Sequence, residues 1–143
     1  MRKVIVILLT VAFSLSIGTT ALATTALTNE AASVQTLRFT AINSISAELN
    51  IDSGGKAVCI GRVTPQQSSY TSYLQVQLGK FVNGNWQALY TWSDSATGLA
   101  GVIIKGERYV TSGDYYVRVE AKIYDSSYSL LETVVRFSPM MSY

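Results

Sequence analysis

The chain has no histidine and a single cysteine, Cys59, in 143 residues. Without histidine the commonest general base and the commonest metal ligand are missing. Ser-His-Asp and Cys-His nucleophilic schemes are therefore excluded. With one cysteine no internal disulfide can form, although exported domains often rely on them. Free cysteine is among the most buried residue types. Cys59 thus reads as a small buried hydrophobe, with an intermolecular disulfide or a reactive thiol as the alternative. No Asp-x-Asp-x-Asp-Gly loop suggests calcium, and no Gly-rich loop opens a helix to cradle phosphate. The acidic residues are dispersed: Glu48, Glu107, Glu120 and Glu132 stand in strand-like stretches, and Asp52, Asp94, Asp114 and Asp125 fall one per turn. A carboxylate pair could still hydrolyse a glycoside. The stronger reading is that turn aspartates bond their own backbone. The expectation is a protein that is not an enzyme and uses no metal and no cofactor.

Charge of one sign and long apolar runs are also scarce. The formal charge is +2, from 11 basic and 9 acidic residues. Two of the basic residues, Arg2 and Lys3, precede the one long apolar run, Val4 to Ile17. That run, followed by the small-x-small sequence Ala21-Leu22-Ala23, has the form of a secretory signal peptide over residues 1–23. It is short for a membrane span, so contact with a membrane is expected only before cleavage. The remaining residues then hold 9 basic and 9 acidic side chains, 11 less Arg2 and Lys3. No basic stripe for nucleic acid is visible. The expected location is secreted, extracellular.

What is present is β-pattern. Residues 24–35 are Thr- and Ala-rich and read as a flexible arm or short weak helix, and residues 36–143 as one domain. A weak first strand covers 36–42. Ser44 to Ile51 alternates cleanly, with Ile45, Ala47, Leu49 and Ile51 on one face. Lys56 to Val63 follows, with Ala57, Cys59, Gly61 and Val63 inward. Leu99 to Val110 forms one strand or two, broken near Gly106. Tyr115 to Tyr124 places Tyr115, Val117, Val119, Ala121 and Ile123 inward. Leu130 to Phe137 closes the fold, with Leu131, Thr133, Val135 and Phe137 inward. About seven strands, frequent turn signals and no helical period describe an antiparallel β-sandwich.

The densest stretch is Tyr73 to Ser93, a long hairpin about Asn83-Gly84, the pair that a type I′ turn prefers. A two-residue loop pairs Phe81 with Trp86, Gly79 with Ala88, Leu78 with Leu89, Gln77 with Tyr90 and Gln75 with Trp92. Leu74, Val76, Leu78 and Leu89 then face the core. Tyr73, Gln75, Gln77, Phe81, Trp86, Tyr90 and Trp92 face away from it. A three-residue loop would slip the register and send the indoles inward.

Gly113-Asp-Tyr-Tyr-Val-Arg-Val-Glu-Ala121 resembles the Gly-x-Tyr-x-Val-x-Val-x-Ala run that enters the sixth strand of immunoglobulin-like and fibronectin-type domains. The resemblance implies an immunoglobulin-like sandwich with Tyr115 at the corner before that strand. It places Val117 where disulfide-bonded members carry cysteine, with Cys59 at the partner position. The order Gly54-Gly-Lys-Ala-Val-Cys59, Asn83-Gly-Asn-Trp86, Trp92 and Gly113-Asp-Tyr behind a signal peptide is similar to small exported proteins of Gram-positive bacteria with no established function. This likeness implies location and fold and no chemistry.

In an immunoglobulin-like topology the hairpin lies beside Tyr115 to Tyr124, so Tyr116, Arg118 and Tyr124 extend the ring-rich face. The candidate binding residues are Trp86, Tyr90, Trp92, Tyr73, Gln75, Gln77, Tyr116 and Arg118. Flat rings beside amides suit sugar rings or an extended peptide. The expected partner is a cell-surface glycan or protein. Two blander readings stand beside it: the rings cover one another as cross-strand pairs, or the protein is structural and self-associating through this face or an uncovered edge strand.

Overall fold

The computed structural model describes residues 39–143, all of them strand, turn or loop, with no helix. The expected signal peptide (1–23), the arm (24–35) and the first three residues of the weak strand over 36–42 lie outside the described residues, and of the remaining four only Ile42 is strand. Eight antiparallel strands follow: β1 (Ile42–Ile51), β2 (Lys56–Pro65), β3 (Thr71–Val82), β4 (Asn85–Thr97), β5 (Val102–Tyr109), β6 (Asp114–Tyr124), β7 (Leu130–Phe137) and β8 (Met141–Ser142). They form a three-stranded sheet, β1-β2-β5, and a five-stranded sheet, β4-β3-β6-β7, with β8 paired to β6. The architecture is all-β and sandwich-like, with one core cluster drawn from both sheets.

The core follows from alternation on the strands that are paired on both sides. β2 contributes Ala57, Cys59 and Val63, β3 Leu74, Val76 and Leu78, and β6 Tyr115, Val117, Val119, Ala121 and Ile123. Each strand buries every second residue, as the period of 2 requires. β5 adds Val102 and Ile104. It runs unbroken through Gly106, which lies opposite Cys59.

The turns are built as their residues dictate. Asn83 and Gly84 both take positive φ, 51° and 80°, and close β3 on β4 as a two-residue hairpin. The Asp52 carboxylate accepts from the Gly54 and Lys56 amides, and Asp125 accepts from those of Ser127 and Ser129. Both are local turn formers.

Two edge strands depart from the sequence reading. In β4, Gly79 pairs with Ala88 as expected, but Leu78 pairs with Tyr90, leaving Leu89 as a bulge. Beyond it every side chain of β4 has changed face. Val76 now faces Trp92, and Gln77 and Gln75 face Thr91 and Ser93. Leu89, expected in the core, is 44% exposed. The bulge exchanges one leucine for an indole on the inner face, which buries more apolar area.

In β7, Leu131, Thr133, Val135 and Phe137 do not point inward. Val119, Ala121 and Ile123 pair with Arg136, Val134 and Glu132, so these three hold the inner face. The charged pair there is satisfied by the segment leading into β1. One Glu132 carboxylate oxygen accepts the amides of Thr40, Ala41 and Ile42 at 3.2, 2.8 and 3.0 Å. The Arg136 guanidinium lies 5.4 Å from the centre of the Phe39 ring.

Candidate functional site

The outer face of the five-stranded sheet carries most of the expected site. Cross-strand pairing brings Tyr73, Gln75 and Gln77 of β3 opposite Lys122, Glu120 and Arg118 of β6, with Tyr116 opposite Gly79. Trp86 joins this face through its pairing with Phe81. Tyr90 and Trp92 do not join it. The bulge turns them to the opposite side of β4, where their rings stack at 6.2 Å and the Arg108 guanidinium of β5 covers both, at 5.1 and 5.6 Å. Trp92 packs against the core. A Cβ at Gly106 would collide with its indole, so that glycine is the seat for the ring.

Three regions succeed one another along the outer face. Nearest the hairpin turn is an aromatic cluster. The Trp86 ring stacks on Tyr116 at 5.7 Å, and Tyr116 meets Phe137 edge-on at 5.5 Å. Trp86 also lies over Gly79, where a Cβ would strike it. Its Nε1–H finds no acceptor among the described residues.

The middle region is polar and internally bonded. Arg118 Nη1 donates to Gln77 Oε1 at 3.1 Å, and Gln77 Nε2 donates to the Thr91 hydroxyl at 3.3 Å. Arg118 Nη2 lies 2.6 Å from a Glu120 oxygen, and Lys122 Nζ lies 3.2 Å from the other. The Arg118 hydrogen bond holds the Glu120 carboxyl below its ordinary value of 4.5, and Lys122 adds to the effect. Gln77 and Arg118, expected as ligand-facing groups, thus spend their polar atoms on each other. Gln75 makes no side-chain hydrogen bond among the described residues.

At the far end lies an open pocket of about 290 Å³, a surface depression lined by Thr71, Tyr73, Ser95, Tyr124 and Tyr128. Tyr124 stands eight residues beyond Tyr116 on β6, about 27 Å along the strand. The Thr71 hydroxyl shares a 2.8 Å hydrogen bond with that of Thr97. Tyr128, in the β6–β7 turn, has φ of 60° and is 76% exposed. Nothing in the sequence marks Tyr128, which reads only as a turn residue. Ser95 is equally hidden, because only the bulge aims it at this face.

Elsewhere the polar groups are committed to structure. On the outer face of the three-stranded sheet, Lys105 and Lys56 flank Glu107 at 2.8 and 2.7 Å and hold its carboxyl at about 2. Beside them a depression of about 410 Å³ is bounded by Lys56, Glu107, Arg108 and Tyr109. A larger, open depression of about 590 Å³ borders β1, with Glu48, Leu49, Val58, Ile60, Lys105 and Pro139 among its walls. It holds no aromatic ring. Cys59 is fully buried, and burial pushes its thiol up to about 12. A thiolate nucleophile is thereby disfavoured. Among the described residues no three His, Cys, Asp or Glu side chains are grouped to hold a metal ion. No helix among them is long and apolar enough to cross a membrane. No protein-family model matches the chain, and comparison with curated proteins finds no match.

Proposed function

We propose that the chain is an exported, non-catalytic, immunoglobulin-like domain that binds a cell-surface partner through the outer face of its five-stranded sheet. The observation that carries this reading is the far end of that face, where the rings of Tyr73, Tyr124 and Tyr128 border a pocket beside Ser95 and Thr71. These rings lie outside the buried core cluster and border an open, hydroxyl-lined depression. The fibronectin-type form of the fold is supported by the strand order β1-β2-β5 and β4-β3-β6-β7. It is also supported by the Tyr115 hydroxyl, which donates back to the Thr111 carbonyl at 2.6 Å. A bond of that kind marks the tyrosine corner of such sandwiches.

Co-sedimentation with isolated bacterial cell walls, with and without prior removal of their proteins, tests the reading. The wild-type chain is expected to sediment with at least one preparation. A Gln75→Lys, Ser93→Lys double variant of the outer face should stay in the supernatant. Ile103→Lys, 59% exposed on the other sheet, should behave as wild type. Equal retention of all three, or retention of none, overturns the proposal.

A second reading, self-association, is favoured by β4. This edge strand runs 13 residues with Asp94 as its one charge. Lys105, Glu107 and Arg108 sit on the β5 edge, and Glu132 and Arg136 on β7. Charged side chains are the usual protection of an edge, and β4 has only Asp94 and its bulge. Sedimentation velocity decides: a monomer at high concentration removes this reading, and a dimer that Ser93→Lys dissociates supports it.

A further inference from the structure

We infer that the pocket bounded by Tyr73, Tyr124 and Tyr128 is the anchoring subsite for one uncharged sugar ring of a surface glycan. The inference rests on the binding-module reading above and gives it a ligand class.

The lining sets the chemistry. Three phenol rings supply flat apolar surfaces, and Thr71, Ser95 and the phenols themselves supply hydroxyls. A pyranose has the complementary pair of surfaces, a face of C–H groups for ring contact and a rim of hydroxyls for hydrogen bonds. No carboxylate and no cation lines the pocket. The nearest cation along β6, Lys122, is held by Glu120 at 3.2 Å. A charged ligand therefore meets no counter-charge, and an uncharged one gives up no ion pair. At about 290 Å³ and open to solvent, the depression falls just below the range of enclosing ligand pockets, which suits surface contact with one ring of a longer chain.

Tyr128 adds an independent observation. Its backbone sits at φ +60°, where a bulky side chain is strained and glycine or asparagine would make the turn more easily. Asp125 braces the turn, accepting from Ser127 and Ser129 through its carboxylate and from Tyr128 through its carbonyl. In return the ring wins little burial, since it is 76% exposed. The strain is thus held at a residue whose ring forms one wall of the pocket, the kind of place where backbone strain accompanies ligand contact.

Affinity electrophoresis of the chain in gels containing hydroxyethylcellulose, laminarin or mannan tests the inference. At least one of these neutral polysaccharides should retard the wild-type protein. Tyr128→Gly, which fits the turn without strain, should weaken that binding at least tenfold with its circular dichroism unchanged and its unfolding midpoint no lower. Tyr128→Phe should keep most of the binding, because it retains the ring. Wild-type affinity in Tyr128→Gly overturns the inference, and so does the absence of retardation by all three polysaccharides. If the chain still sediments with cell walls in either case, the face binds another class of partner. If it does not, the binding-module reading falls as well.

Discussion

The Tyr115 hydroxyl is the clearest case of one polar atom placed by its surroundings. The residue is 1% exposed, its ring lies in the core, and its hydroxyl reaches the Thr111 carbonyl at 2.6 Å. Removing the hydroxyl while keeping the ring leaves that carbonyl without its partner. Tyr115→Phe should therefore cost about 1–2 kcal/mol, measured as a lower urea midpoint with an unchanged slope. The two indoles, alike in the sequence, differ in what they support. Trp92 sits against Gly106 at the core, so Trp92→Ala should cost about 3 kcal/mol in cavity and lost contact. Trp86 lies on the outer face over Gly79 and Tyr116, and Trp86→Ala should cost about 1 kcal/mol. Chemical denaturation of both variants checks the difference. Equal losses would show that the bulge does not separate their environments.

At the scale of the strand, the polar middle of the outer face behaves as one unit. Thr91, Gln77, Arg118, Glu120 and Lys122 link β4, β3 and β6 through side chains alone. The Glu120 carboxyl is depressed on folding, first by the Arg118 hydrogen bond. Its contribution to stability is therefore complete above the ordinary value of 4.5 and is lost as pH falls through the lower folded value. An NMR titration of Glu120 should give a midpoint below 4.5. Glu120→Gln should flatten the fall in stability between pH 5 and the acid limit. A Glu120 midpoint at or above 4.5 would mean that Arg118 is free in solution. Glu107 is depressed further, to about 2, but its side chain is 38% exposed. Solvent screening leaves that surface cluster little weight in stability.

Across the whole molecule, the two ends of the described chain are fastened to the five-stranded sheet. β8 pairs with the start of β6, and Tyr143 exchanges backbone hydrogen bonds with Gly113 at 2.9 and 2.8 Å. The segment leading into β1 is held by the Glu132 carboxylate, a charged acceptor facing three successive amides. Such bonds are stronger than neutral ones. Glu132→Gln should cost about 1–2 kcal/mol, and amide exchange at Thr40, Ala41 and Ile42 should accelerate more than exchange in β3 or β6. Uniform acceleration throughout the domain would instead assign Glu132 a global role.

Local chemistry was enough for the hairpin turn, the turns at Asp52 and Asp125 (but not for Asp94 and Asp114, which were expected in turns and lie in β4 and β6), the burial of Cys59 and the inward sets of β2, β3 and β6. These strands are paired on both sides, so period-2 alternation leaves a single arrangement that hides the apolar residues. β4 and β7 are edges of their sheet, as is β1 of its own, whose Ile45, Ala47, Leu49 and Ile51 pack against the core as their alternation implies; what sets β4 and β7 apart is what each meets across the interior. One side of an edge strand is unpaired, so its register and facing respond to whatever lies across the interior. For β4 that is the open seat at Gly106, which draws Trp92 inward and leaves Leu89 bulged. For β7 it is the row of amides at Thr40 to Ile42, which makes Glu132 an inward residue although its type suggests solvent. The tyrosine pocket depends on both outcomes: Ser95 reaches it only because β4 has changed face, and Tyr128 walls it only because the turn into β7 takes a left-handed backbone. Contacts between residues so distant in the chain exist only once the two sheets have closed on each other.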